Sequence, residues 1–258
     1  MEIGILIVGI LAGVMSGLFG IGGGIVMVPT LIAIFGMNML DANATSLAAM
    51  LLPVGVFGVI NYYKAGYINL KDSLWIALGL FGGSFFGAEL AVTLDVNLLA
   101  KLYAAYLLWI AVGYFDIPSY FSRNKNKKQT NDIKAKTHRA VWQFIFIGVL
   151  AGVIAGMFGK GGGLVIVPIL IKFFDYDPKA ASATSLAALQ LPVGLPSVIV
   201  YAQDGHLNFF YAGLMAFGIL VGVFFGSKLA LNLSSAIFKK VYAIFLLGVA
   251  VYMVVKYI

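Results

Sequence analysis

Shifted by 139 residues, the sequence falls on itself, and nothing else in it restricts the fold so strongly. Gly9, Gly13 and Gly17 fall on Gly148, Gly152 and Gly156; Gly20 and Gly22 to Gly24 fall on Gly159 and Gly161 to Gly163; Pro29 falls on Pro168. The hexapeptide ATSLAA at Ala44 recurs at Ala183, and LPVG at Leu52 recurs at Leu191. A match maintained over such a span is an internal duplication. It divides the chain into a first transmembrane repeat (1–118), a polar and basic connector (119–140) and a second transmembrane repeat (141–258).

Each copy carries five apolar segments, in the first copy at about 3–19, 24–36, 42–63, 73–94 and 97–117. Of the 258 residues, 62% are hydrophobic and 10% charged, with a mean hydropathy of +1.00. A soluble domain of this length needs far more polar surface. Runs such as LWIALGLFGGSFFGAELAVTL suit helices crossing a hydrocarbon layer roughly 30 Å thick and lack the alternation of a membrane barrel. The fold class expected is therefore an all-α polytopic membrane protein with about 8–10 membrane segments.

The first two segments of each copy are short and meet at a glycine cluster. Whether they form two short spans or a re-entrant hairpin, each copy makes an odd number of net crossings, so the repeats are expected to have inverted topology. With the connector in the cytoplasm and both termini outside, every one of the 17 Lys and Arg residues except Lys101, Lys160 and Lys256 lies on the cytoplasmic side, as the positive-inside rule requires. In a parallel arrangement Lys172, Lys179, Lys228, Lys239 and Lys240 would move outside.

Several function classes drop out. Cysteine is absent, so disulfides and thiolate chemistry are excluded. His138 and His206 read as loop residues, and no metal site or cofactor motif is visible. The net charge of +7 sits in the connector and at segment ends, where it sets orientation rather than binding nucleic acid. No signal peptide is expected, because the first apolar run follows Met1 and Glu2 directly. A membrane enzyme would need a nucleophile with its base, a carboxylate pair or a metal cluster at depth. None is apparent, so the chain is not read as an enzyme.

The stripes Gly9–Gly13–Gly17 and Gly79–Gly83–Gly87, with their copies, suit close helix packing. The clusters FGIGGG and FGKGGG are different. Three consecutive glycines weaken a helix by roughly 1 kcal/mol each relative to alanine, so the helix is expected to break there. Broken backbone at membrane depth has to face protein or a water-filled cavity, and a helix starting after the break offers N–H groups to an anion. Gly22, Gly23 and Gly24, with Gly161, Gly162 and Gly163, are therefore candidate substrate-binding residues. A nucleotide loop does not fit, because no strand precedes the glycines and no GK[ST] occurs.

The second duplicated element is DANATSLAAM, with SATSLAALQ as its copy. Asp41 or Asn43, and Ser182 in the copy, are expected to cap the following helix, which would put Thr45, Ser46, Thr184 and Ser185 in its first turn, their hydroxyls offered either to backbone or to a substrate. These four, with Asn43, are candidate substrate-binding residues. Pro53, Pro192 and Pro196 interrupt the same helices further along. Two differences between the copies are candidates for selectivity: Lys160 replaces Ile21 in the glycine cluster, and Gln190 is read as replacing Met50 on the helix carrying the TSL motif. Glu89, opposite Lys228, is the candidate for ion coupling.

The paired FGxGGGxxxVP and ATSLAA motifs, spread over essentially the whole chain, resemble those of the sulfite exporter TauE/SafE family. The resemblance implies a transporter of small sulfur-containing anions, such as sulfite or organosulfonates, in the bacterial cytoplasmic membrane. The motif residues it carries over are Gly20, Gly22 to Gly24, Thr45, Ser46, Gly159, Gly161 to Gly163, Thr184 and Ser185. The reading is a secondary transporter with a midplane site between the repeats, using a proton or sodium as coupling ion and no cofactor. An anion channel, or a carrier of an unrelated small carboxylate, fits the same residues, and the sequence allows a homodimer.

Overall fold

The computed structural model describes residues 2–20, 22–53, 55–115, 140–159 and 162–233. Those residues form helices and short connections. In the first copy the helices are α1 (Glu2–Phe19), α2 (Gly24–Phe35), α3 (Met39–Ala49), α4 (Val56–Lys64), α5 (Leu70–Thr93) and α6 (Val96–Phe115). The second copy has α7 (Val141–Phe158), α8 (Gly163–Phe174), α9 (Pro178–Ala188), α10 (Leu195–Gln203) and α11 (Phe209–Asn232). Each of α7 to α11 begins and ends 139 residues after its counterpart among α1 to α5. The duplication in sequence is thus a duplication in structure.

The breaks fall where backbone chemistry puts them. Gly20, Gly22 and Gly23 have φ of 66°, 79° and 70°, and Gly159 and Gly162 have φ of 66° and 62°. This left-handed region is open to glycine and strained for other residues. After each break the chain turns back: Gly23 packs beside Ala12 in the middle of α1, and Phe35 at the end of α2 reaches Gly4 near its start. Gly162 lies beside Ala151 in the same way, and the Phe144 and Phe174 rings meet at 5.1 Å.

The segment expected at 42–63 is two helices. It unwinds between Met50 and Gly55, around Pro53, and its copy unwinds between Leu189 and Gly194, around Pro192. The expected caps are corrected as well. Asn38 Oδ1 accepts the Asp41 N–H at 2.8 Å and Asp177 Oδ1 accepts the Lys179 N–H at 2.9 Å, so α3 and α9 start before Asp41, Asn43 and Ser182. Pro178, with its preset φ, opens the first turn of α9. Thr45, Ser46, Thr184 and Ser185 therefore lie two turns into their helices, not in a first turn.

The copies interlock rather than sit side by side. α1 runs beside α11 in the same direction, Gly9 against Met215, Gly13 against Ile219 and Gly17 against Val223. α5 runs beside α7 likewise, Gly79 against Ile145, Gly83 against Val149 and Gly87 against Val153. A Cβ on Gly9 or Gly17 would stand 2.6 Å from the facing carbonyl oxygen, so these backbones touch only because the side chain is hydrogen. The opposite faces are large and apolar: Phe81, Phe85 and Phe86 on α5, Trp142 and Phe146 on α7, and Phe217 and Phe225 on α11 are exposed. Small residues inside and large apolar ones outside reverse the pattern of a water-soluble bundle. Among the described residues, α1, α5, α7 and α11 are long and apolar enough to cross a membrane.

Candidate functional site

The two glycine breaks and the two TSL helices meet across the copies. Ser46 Oγ on α3 donates to the Gly159 carbonyl at 2.7 Å, and Ser185 Oγ on α9 donates to the Gly20 carbonyl at 2.8 Å. Each serine thus satisfies a carbonyl freed by the break in the other copy. The contact is close enough that a Cβ on Gly159 would strike Asn43 and one on Gly20 would strike Ser182. Tyrosines complete the helix ends: Tyr62 Oη donates to Gly17 at 2.9 Å and Tyr201 Oη to Gly156 at 2.8 Å.

Around this junction lie polar atoms that the described residues leave without a partner. Asn43 Nδ2 donates to the Met157 carbonyl at 2.9 Å, but its Oδ1 has no donor. Ser182 Oγ and Thr184 Oγ1 have none either, and all three side chains are fully buried. Gln190 donates through Nε2 to Leu186 at 2.9 Å, while its Oε1 is buried and unpaired against Gly55. In register, Gln190 corresponds to Leu51, and Met50 to Leu189. Thr45 and Ser185 are buried with the rest.

The helix starts are partly self-satisfied. The Gly24 N–H turns back onto the Gly22 carbonyl at 2.8 Å, and the Val26 and Met27 N–H groups onto Gly23. In the copy, Val165 and Ile166 donate to Gly162, and Gly163 opens α8. Lys160 and Gly161 lie outside the described residues. Glu89 stands on the exposed face of α5, the face that carries Phe85 and Phe86. A cavity of about 30 Å³ lies nearby, lined by Leu47, Met50, Leu80, Ser84, Ala155, Leu189, Val193 and Gly194. It has room for about one water molecule and is walled mainly by apolar groups.

Sequence reasoning missed three sets of residues. Tyr62 and Tyr201 recur at the 139-residue spacing and were findable by it. Ser84 and Ser197 were not: Ser84 Oγ donates to Val193 at 2.8 Å and Ser197 Oγ to Ser84 at 2.7 Å, but their counterparts are Val223 and Gly58. The third set is an ionisable cluster at one end of the bundle. His206 Nδ1 lies 2.7 Å from Asp41 Oδ1 and its Nε2 lies 3.2 Å from Asp204 Oδ2.

Apolar outer faces, hydrogen-only helix seams and duplicated breaks define a helical membrane protein built around an interlocked pair of broken helices. A family model described as sulfite exporter TauE/SafE matches residues 5–253, and the chain belongs to that family of membrane transporters. It is 29% identical over 245 residues to a probable membrane transporter protein of Methanocaldococcus jannaschii, covering 92% of this chain and 87% of that one. It is 26% identical over 238 residues to one of Bacillus subtilis (87% and 85% covered) and 28% identical over 269 residues to one of Haemophilus influenzae (97% of each covered). No solved structure matches the chain.

Proposed function

We propose that this transporter is a secondary carrier of small sulfur-containing anions, sulfite or organosulfonates, with its site at the junction of the two breaks near the membrane midplane. The observation that carries the reading is the crossed pair: each copy's serine caps the other's broken helix, beside the unpaired Asn43 Oδ1, Ser182 Oγ, Thr184 Oγ1 and Gln190 Oε1. Unpaired polar groups in an apolar interior are costly. The Ser182 and Thr184 hydroxyls can donate to an oxyanion as they stand, whereas Asn43 and Gln190 hold acceptor oxygens free and would have to release their amide N–H groups from Met157 and Leu186 to do so. Lys160, within the second break, would add the charge that distinguishes one side of the junction from the other.

Inverted topology of the repeats fits the packing directions. Tyr62 brings the end of α4, and hence the start of α5, to the end of α1, so α5 runs opposite to α1. α7 runs with α5. Inverted halves with broken helices at corresponding positions suit alternating access around a central site. In this reading the connector is cytoplasmic, the membrane is the bacterial cytoplasmic one, and a proton or sodium gradient supplies the energy.

Purified protein in liposomes, with sulfite followed by electrode or radiolabel, tests the proposal. Saturable flux with counterflow is the expected result. Flux without saturation or counterflow would make it a channel, and no flux of any sulfur oxyanion or sulfonate from either side would overturn the substrate class.

A further inference from the structure

His206 is held in a cluster that, among the described residues, exists at one end of the bundle and not at the other. Its Nδ1 faces Asp41 on α3, from the other copy, and its Nε2 faces Asp204 in its own loop. Asp41 is oriented for this contact: Asn38 Nδ2 donates to its Oδ2 at 2.7 Å, leaving Oδ1 for the imidazole. The ring is partly buried, with 22% of its side chain exposed. Tyr211 is the next titratable residue, at the start of α11.

The register of the duplication gives the comparison. Asp41, Asp204 and His206 correspond to Ala180, Ala65 and Tyr67. At that second end Lys179 donates to the Leu231 carbonyl at 3.1 Å and lies over the Tyr67 ring, while Asp72 accepts from Tyr176 and Asn69. Burial, then the Asp72 carboxylate beside it, pushes the Tyr176 phenol above its ordinary range. That end is charged, but among the described residues it has no imidazole. The loops carrying His206 and Tyr67 each join a short helix to the long helix that packs on the other copy.

We propose that Asp41, His206 and Asp204 form a proton-binding latch that closes this end of the transporter. Imidazole changes charge between about pH 5 and 8. The protonated ring donates to both carboxylates at once. The neutral ring donates to one and turns a lone pair on the other, so the latch is strongest at low pH and loosens as pH rises. The latch rests on the alternating-access reading for its purpose but not for its detection.

The chain has no cysteine and two histidines, which makes the test clean. Ala42→Cys, fully buried next to Asp41, and Ala181→Cys, its fully buried counterpart at the other end, are reacted with a maleimide in nanodiscs from pH 5.5 to 8. Their ratio of rates cancels the intrinsic ionisation of the thiol. The ratio is expected to rise about tenfold over that range, the size of a lost hydrogen bond to a charged group, and to stay flat in His206→Gln. In His138→Gln protein labelled with ¹⁵N-histidine, the remaining ring should show a hydrogen-bonded Nδ1 that Asp41→Ala, which removes the acceptor, abolishes. A ratio independent of pH in the otherwise native chain, or an Nδ1 signal indifferent to Asp41→Ala, overturns the proposal. Neither reading involves a substrate, so sulfite flux can fail while the latch stands, and the reverse.

Discussion

Ser46 and Ser185 are worth more than ordinary helix hydroxyls because of where their acceptors are. A serine in a membrane helix usually bonds within its own helix, but these two reach the carbonyls of Gly159 and Gly20 in the opposite copy. Replacing either by alanine leaves a buried carbonyl short of its donor, at a cost of about 1–3 kcal/mol. Ser46→Ala and Ser185→Ala should each lower the thermal midpoint in detergent, and the double variant should lower it by nearly the sum, since the two bonds share no atoms. Gly20 and Gly159 are stricter still, because both a positive φ and a facing backbone forbid a side chain. The motif glycines and serines were legible in the sequence as a recurring set. What each of them touches was not, because the acceptors lie 113 and 165 residues away.

At the scale of helices, the glycine rows decide which surfaces can meet. Gly83 on α5 lies against the Val149 backbone, whereas its neighbour Gly82 has nothing within 4 Å of a added Cβ. Gly82→Ala should therefore be neutral or stabilising by up to about 1 kcal/mol through helix propensity. Gly83→Ala should push α5 off α7 and lose folded, monodisperse protein, read by size-exclusion chromatography and thermal unfolding. Equal effects at the two positions would mean that the seam is not where stability resides. The sequence predicted the breaks at both glycine clusters and an interruption at Pro53 and Pro192, because glycine and proline act on the backbone where they stand, but it kept 42–63 as one segment where the structure has two helices. It misplaced the starts of α3 and α9, because Asp41, Asn43 and Ser182 are as capable of capping as Asn38 and Asp177. The choice rests on where the chain returns from α2 and α8.

For the whole molecule, interlocking means that neither copy keeps its seams alone: α1 needs α11, and α7 needs α5. The proposed inverted arrangement makes a prediction that needs no substrate. Leu70 and Phe209 are equivalent, exposed residues at the starts of α5 and α11. A membrane-impermeant maleimide added to intact cells should react with Phe209→Cys and spare Leu70→Cys, and inside-out vesicles should give the converse. Reaction of both from the same side would require parallel copies. By itself the sequence determined the duplication, the apolar helices and the sites where they break, since those follow from local backbone preference, side-chain polarity and recurrence along one chain. Only the tertiary structure decided that α1 pairs with α11 rather than with α5, which carries an equivalent glycine row, and that His206 faces Asp41. A row of hydrogens says that some backbone can come close, and a carboxylate that some donor can bind; which one does so depends on how the two copies thread through each other, and no local pattern encodes that.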